Sequence, residues 1–61
     1  MKLGDLQRHL RAQDCELFRE GSNHSVWINR STGVKTTVPR HKEIGNVICG
    51  KICRNLGVPK P

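Results

Sequence analysis

The 61-residue sequence has no long apolar run, since none exceeds the three residues of Val47-Ile48-Cys49. Its first residues, MKLGDLQRHLRAQD, carry charges every few positions and lack the apolar core of a signal peptide. We therefore predict no segment that spans or targets a membrane, and a secreted cationic peptide is disfavoured. The expected location is the cytoplasm.

Cysteine pairs with CxxC spacing are also missing. Cys15, Cys49 and Cys53 are an odd number of thiols, so neither a closed disulfide framework nor a zinc knuckle is indicated. Cys49 and Cys53 could hold a metal from one helix face, but no neighbouring ligands support this and small buried core residues are the better interpretation. We predict no metal and no cofactor, and free thiols suit a reducing compartment.

Acidic residues are scarce beyond residue 20, where Glu43 is the only one. The first twenty residues balance their charges, so the net charge of +6 lies in the remainder, on Arg30, Lys35, Arg40, Lys42, Lys51, Arg54 and Lys60. A chain this short buries only about 60% of its unfolded surface, which argues against a deep pocket. A large polyanion is therefore the favoured partner, and a basic surface that serves only solubility is the alternative.

Hydrophobic spacing predicts a helix at each end of the chain. Leu3, Leu6 and Leu10 recur at helical spacing, which predicts a first helix that runs to about Gln13. A second helix is predicted before the stop signal LGVP, with an apolar stripe of Ile44, Val47, Ile48, Ile52 and Leu56.

Three strand-like segments lie between the helices, at CELFRE (15–20), HSVWIN (24–29) and VKTTV (34–38). Short turns join them, and Pro39 ends the third because it cannot donate to a ladder. The predicted fold class is α+β, a single domain over residues 1–61 with the order helix, three-stranded antiparallel meander, helix. Both helices have one apolar stripe and should cover one face of the sheet, as in the double-stranded-RNA-binding type of fold.

The second strand can face either way. Alternate residues of a strand point to opposite faces of the sheet, so His24, Val26 and Ile28 share one face and Trp27 points to the other. If Val26 and Ile28 face the helices, His24 is a half-buried polar residue and Trp27 lies on the open face beside Lys35, as a platform for stacking. If Trp27 fills the core, Val26 and Ile28 face outward.

Two stretches, GSNHSVW and TTVPRHKEI, resemble the HicA-type toxins, the small ribonuclease components of HicA/HicB toxin-antitoxin pairs. The family pattern is Gly-Ser-(His or Asn)-His at the entry to the second strand and Val-Pro-x-His at the end of the third. Here these are residues 21–24 and 38–41, although Asn23 stands where many members carry a second histidine. The resemblance implies an mRNA-cleaving enzyme with His24 as its catalytic residue, and a HicB-type antitoxin as partner.

RNA supplies its own nucleophile, so cleavage needs a base for the 2′-hydroxyl proton, an acid for the 5′-oxygen and positive charge for the phosphorane. His24 suits either proton role. We expect Lys35, Arg40 and His41 to stabilise phosphate charge, Ser22 or Asn23 to orient the imidazole or substrate, and Trp27 to contact RNA.

A two-metal mechanism would need clustered carboxylates, and residues 21–61 contain only Glu43. The predicted function is a sequence-relaxed, metal-independent mRNA endoribonuclease. The alternative is a non-catalytic RNA-binding module, in which Arg40 and His41 belong to an ordinary solvated loop.

Overall fold

The computed structural model describes residues 1–61 and has the predicted order of elements. Helix α1 (Leu3–Ala12) is followed by strands β1 (Cys15–Glu20), β2 (His24–Asn29) and β3 (Lys35–Pro39), and then by helix α2 (Asn46–Leu56). The strands form one antiparallel sheet in the order β1-β2-β3, so β2 is paired on both sides. The predicted α+β meander is confirmed.

Both helices pack on the same face of the sheet and enclose one core. Leu6 and Leu10 of α1 meet Trp27 of β2 and Val38 of β3 there. The remaining core residues are Cys15, Ile44, Cys49, Ile52, Cys53 and Leu56. The leucine spacing predicted for the first helix is therefore the one that the core uses, because those leucines lie on the side that faces the sheet.

The predicted apolar stripe of the second helix is confirmed for Ile44, Ile52 and Leu56, which are buried, and is wrong for its other two residues. Val47 is 73% exposed and Ile48 41% exposed, whereas Cys49 and Cys53 are buried beside Ile52. The two cysteines and Ile52 have the same spacing of three and four as the predicted stripe, so hydrophobic period alone could not choose between the two faces. The expectation that the cysteines are core residues is confirmed.

The ends of the elements are tied by hydrogen bonds to backbone carbonyls. The Asn29 side chain donates to the Leu56 carbonyl at 2.7 Å, which joins the end of β2 to the last turn of α2. That helix ends at Gly57, whose φ of 72° is the left-handed conformation that glycine adopts most easily. Near the other end of the sheet, Leu3 N–H donates to the Lys42 carbonyl at 3.0 Å, so the first residues hold the loop after β3.

No helix covers the second face of the sheet, which we call the open face. Val26 and Ile28 lie on it and are half-buried, and the side chain of His24 has the same parity. Neither helix is long and apolar enough to span a membrane.

Candidate functional site

His24 is the first residue of β2 and is exposed at the rim of the open face. The next residue, Ser25, is buried on the helix side, as is Trp27, so the alternation along the strand turns the imidazole away from the core. The arrangement in which Val26 and Ile28 face the helices, with His24 half-buried among them, is therefore wrong. The histidine is accessible to a ligand that lies across the sheet.

A tight turn sets the position of His24. Gly21 N–H donates to the His24 carbonyl at 2.7 Å across the two-residue connection Ser22-Asn23. A Cβ at position 21 would lie 2.8 Å from that carbonyl oxygen, closer than real side chains approach. Gly21 is thus required by a close backbone approach, and any larger residue would move the backbone that carries the imidazole.

Arg40 bridges the end of β3 to this turn. Its guanidinium donates a hydrogen bond to the Ser22 carbonyl and lies 3.7 Å from the Glu20 carboxylate. The same carboxylate accepts a hydrogen bond from the Ser25 hydroxyl. Because His24 is paired with Pro39 in the β2–β3 register, this network holds a cation at the end of the sheet where β2 begins.

Neither Ser22 nor Asn23 orients the imidazole through its side chain, and their role in orienting substrate stays a prediction. Both are exposed, and no hydrogen bond joins either side chain to the imidazole of His24. Ser22 acts instead through its main-chain carbonyl, which accepts the bond from Arg40. The side chains of both residues remain free to meet a ligand above the turn.

His41 is exposed in the loop that follows β3. The loop is held in place from the N-terminal side, since Ile44 N–H donates to the Met1 carbonyl at 2.7 Å and an isolated bridge pairs Lys2 with Glu43. His41 is therefore displayed from a tethered segment only two residues beyond Pro39, at the same end of the sheet as His24.

Lys35 lies on the open face but far from His24. It pairs with Ile28, four residues along β3 from Pro39, which corresponds to about 13 Å of extended strand. Its ammonium lies 4.7 Å from the centroid of the Phe18 ring. Ser22, Arg40 and His41 therefore lie at the same end of the sheet as His24, and Lys35 lies at the opposite end.

The prediction that Trp27 contacts RNA is wrong. Only 1% of it is exposed, so the expected stacking platform on the open face does not exist, and the indole cannot contact RNA from the core. The guanidinium of Arg11 lies 5.2 Å from the ring centroid, and the indole Nε1 has no hydrogen-bond partner. Of the two arrangements that parity allowed, the fold takes the one that buries the largest apolar side chain of β2.

Phe18, Glu20 and Ser25 complete the neighbourhood and were not predicted. The register of β1 against β2 shifts between Leu17 and Arg19, so Phe18 is an extra residue that leaves the regular alternation. Glu20 and Ser25 are adjacent only through strand pairing. No local pattern indicates either feature, although an alternation that breaks at an aromatic residue could have pointed to the bulge.

Across the whole chain, no group of three or more His, Cys, Asp or Glu side chains is placed to hold a metal ion. Glu20, the carboxylate at this end of the sheet, is already engaged by Arg40 and Ser25.

The arrangement of two helices on one face of a three-stranded meander belongs to the double-stranded-RNA-binding-like class of α+β folds, here with an exposed histidine at the sheet rim. Within that class, the family model described as the HicA toxin of bacterial toxin-antitoxin matches residues 4–58. The chain belongs to the HicA toxin family. It is a toxin of a toxin-antitoxin system, and an antitoxin is implied as its partner. Comparison with curated proteins and with solved structures gave no match.

Proposed function

We propose that this toxin is a metal-independent endoribonuclease that cleaves mRNA with relaxed sequence preference and uses His24 in proton transfer. The observation that carries the proposal is the exposure of His24 at the rim of the open face, with Arg40 held by Ser22 and Glu20 at the same end of the sheet. An exposed imidazole and a fixed cation at the same end of a sheet are groups that phosphodiester cleavage can use.

The reaction starts on the RNA itself. The 2′-oxygen loses its proton to a base and bonds to phosphorus, and the bond to the 5′-oxygen breaks as that oxygen receives a proton. A 2′,3′-cyclic phosphate and a free 5′-hydroxyl result. His24 serves as the base or as the acid, since an imidazole can take or give a proton near neutral pH. His41 is the other imidazole at this end of the sheet.

Arg40 supplies positive charge for the phosphorane. A guanidinium offers five donors, so the groups not used by Ser22 and Glu20 can reach a phosphate oxygen. The net charge of +6 attracts the polyanion from a distance. An mRNA substrate would place the protein in the cytoplasm.

The antitoxin in this proposal is of the HicB type and covers the rim around His24. A harmful enzyme with so exposed a site must be blocked from outside, because the fold has no segment that covers the open face. Pull-down with the product of the neighbouring gene, followed by a cleavage assay on the stoichiometric complex, tests this. Full activity in the complex would contradict occlusion.

The decisive experiment replaces His24 by alanine. In excess EDTA the parent should cleave single-stranded mRNA, and His24→Ala should lose about 10²- to 10⁴-fold in rate. RNA affinity should change little, because the permanent cations remain. A DNA strand of the same sequence should survive, since it lacks the 2′-hydroxyl.

His9→Gln is the matched control, because His9 lies on α1 and bonds to the Pro59 carbonyl at 2.7 Å, away from the open face. Thermal melts of both variants exclude unfolding as the cause of lost activity. If His24→Ala is folded and cleaves as fast as the parent, the protein is a non-catalytic RNA-binding module of the same fold.

A further inference from the structure

Apart from the His24 imidazole, Phe18 is the one aromatic ring that the open face offers. The chain has one tryptophan and one phenylalanine, and the tryptophan is buried. Phe18 is 51% exposed, although single exposed apolar residues are common and need no explanation by themselves. Its surroundings on the face make this ring different from an isolated exposed residue.

The ring belongs to a continuous strip that crosses all three strands. Lys35 on β3 reaches over it, which requires Phe18 on β1 to lie on the open face, and the half-buried Val26 and Ile28 of β2 lie between them. A flat apolar floor with a cation at its edge matches a nucleobase next to its phosphate.

The strip is continuous with the proposed cleavage site. Arg19, the neighbour of Phe18, pairs with Val26, which is two residues along β2 from His24. Strand geometry therefore puts the Phe18 backbone roughly 10 Å from that of His24 on the same side of the sheet. An RNA strand bound at His24 would therefore bring a nucleotide close to the scissile bond past the Phe18 ring.

We propose that the open face holds one unpaired base of the RNA substrate stacked on Phe18, while Lys35 leaves the ring and pairs with a phosphate of the same strand. This rests on the proposed ribonuclease function. The ammonium on its flexible stem already lies 4.7 Å from the ring centroid, so a base that takes its place needs only a rotation of that side chain. The net charge of +6 favours a polyanion such as RNA as occupant.

The test measures binding without cleavage, so that its failure can be separated from failure of the catalytic proposal. The probe is a single-stranded 2′-O-methyl RNA oligonucleotide, which has no free 2′-hydroxyl. Phe18→Leu keeps an apolar residue and removes the ring, and should weaken binding by at least about fivefold, the lower end of base stacking on an aromatic residue. Phe18→Trp should retain or strengthen binding.

A scan of abasic sites then locates the base. At one position, an abasic nucleotide should weaken binding to the parent but cause no further loss with Phe18→Leu, because the two changes remove the same contact. The matched control is Leu17→Ala. Leu17 pairs with the inward-facing Trp27 and is 43% exposed on the same strand, so its loss should leave RNA affinity unchanged.

Three outcomes would overturn the proposal. Phe18→Leu could bind the oligonucleotide as tightly as the parent, or every abasic position could have the same effect in both proteins. Alternatively, Phe18→Leu could bind RNA normally and lose only the antitoxin, which would make the strip a protein interface.

Discussion

Trp27 and Phe18 each lie beneath a cation, at 5.2 Å from Arg11 and 4.7 Å from Lys35, yet the two pairs differ in almost every other respect. On the helix side of the sheet, the indole is enclosed by the core, and the Arg11 guanidinium lies over the ring. On the open side, the phenyl ring has only Lys35 above it. The same local pair is structural where helices cover the sheet and available for binding where they do not.

The comparison extends along β2. Its inward residues Ser25, Trp27 and Asn29 are buried, and two of them use their polar groups within the fold, Ser25 on Glu20 and Asn29 on the end of α2. Its outward residues begin with His24, which makes no such bond. Stability should therefore depend on the inward side of the strand, and RNA chemistry on the outward side.

The largest effect should follow truncation of the inward aromatic. Trp27→Ala should lower the free energy of unfolding by about 3–5 kcal/mol, because a large buried side chain is removed from a small core. The corresponding outward change, Phe18→Ala, should stay within about 1 kcal/mol. Urea unfolding of both variants measures the difference, and equal losses would contradict the division between the two faces.

A smaller effect is expected from the thiols of the helix side. Burial raises the pKa of Cys15, and the Asp14 carboxylate raises it further. Burial also raises the pKa of Cys53, and the neighbouring thiols of Cys49 and Cys15 add to that increase. The unfolded chain loses these thiol protons at lower pH than the folded chain. The two protonated thiols therefore stabilise the folded state fully below the ordinary thiol pKa. This stabilisation should be lost as the pH rises through their raised pKa values in the folded chain.

Urea midpoints between pH 7 and the alkaline range should therefore fall for the parent. A double variant, Cys15→Ala with Cys53→Ala, has a lower starting stability but should show a weaker dependence on pH, because lysine titration is common to both proteins. An identical alkaline slope in parent and variant would show that the thiols do not contribute.

The smallest effect concerns a single cation of the open face. Lys35→Gln should reduce the dependence of log affinity on log salt for single-stranded RNA by about 0.7, the value for one lost phosphate contact. Lys51 on the exposed side of α2 is the matched control, and Lys51→Gln should leave the slope unchanged. A change of slope in Lys51→Gln alone would indicate that RNA binds on the helix side.

Much of the fold could be predicted from local patterns. Leucine spacing, three β-prone runs and the stop at Gly57 led to the correct order of elements, since each depends on residues close together in the chain. The expectation of buried cysteines was also confirmed. The apolar stripe of the second helix was predicted only in part, since Val47 and Ile48 are exposed. They have the same helical period as the cysteines that replace them in the core and are more hydrophobic.

The sequence alone determined the candidate chemistry of this protein, the position of His24 at a strand entry and the excess of positive charge beyond residue 20. Tertiary structure decided which way β2 faces, because parity allows two arrangements and only packing against the helices selects the one that buries Trp27. It also decided the partners of Arg40 and the place of Phe18, since strand register and a bulge bring together residues that are distant in the chain, and no local pattern encodes them.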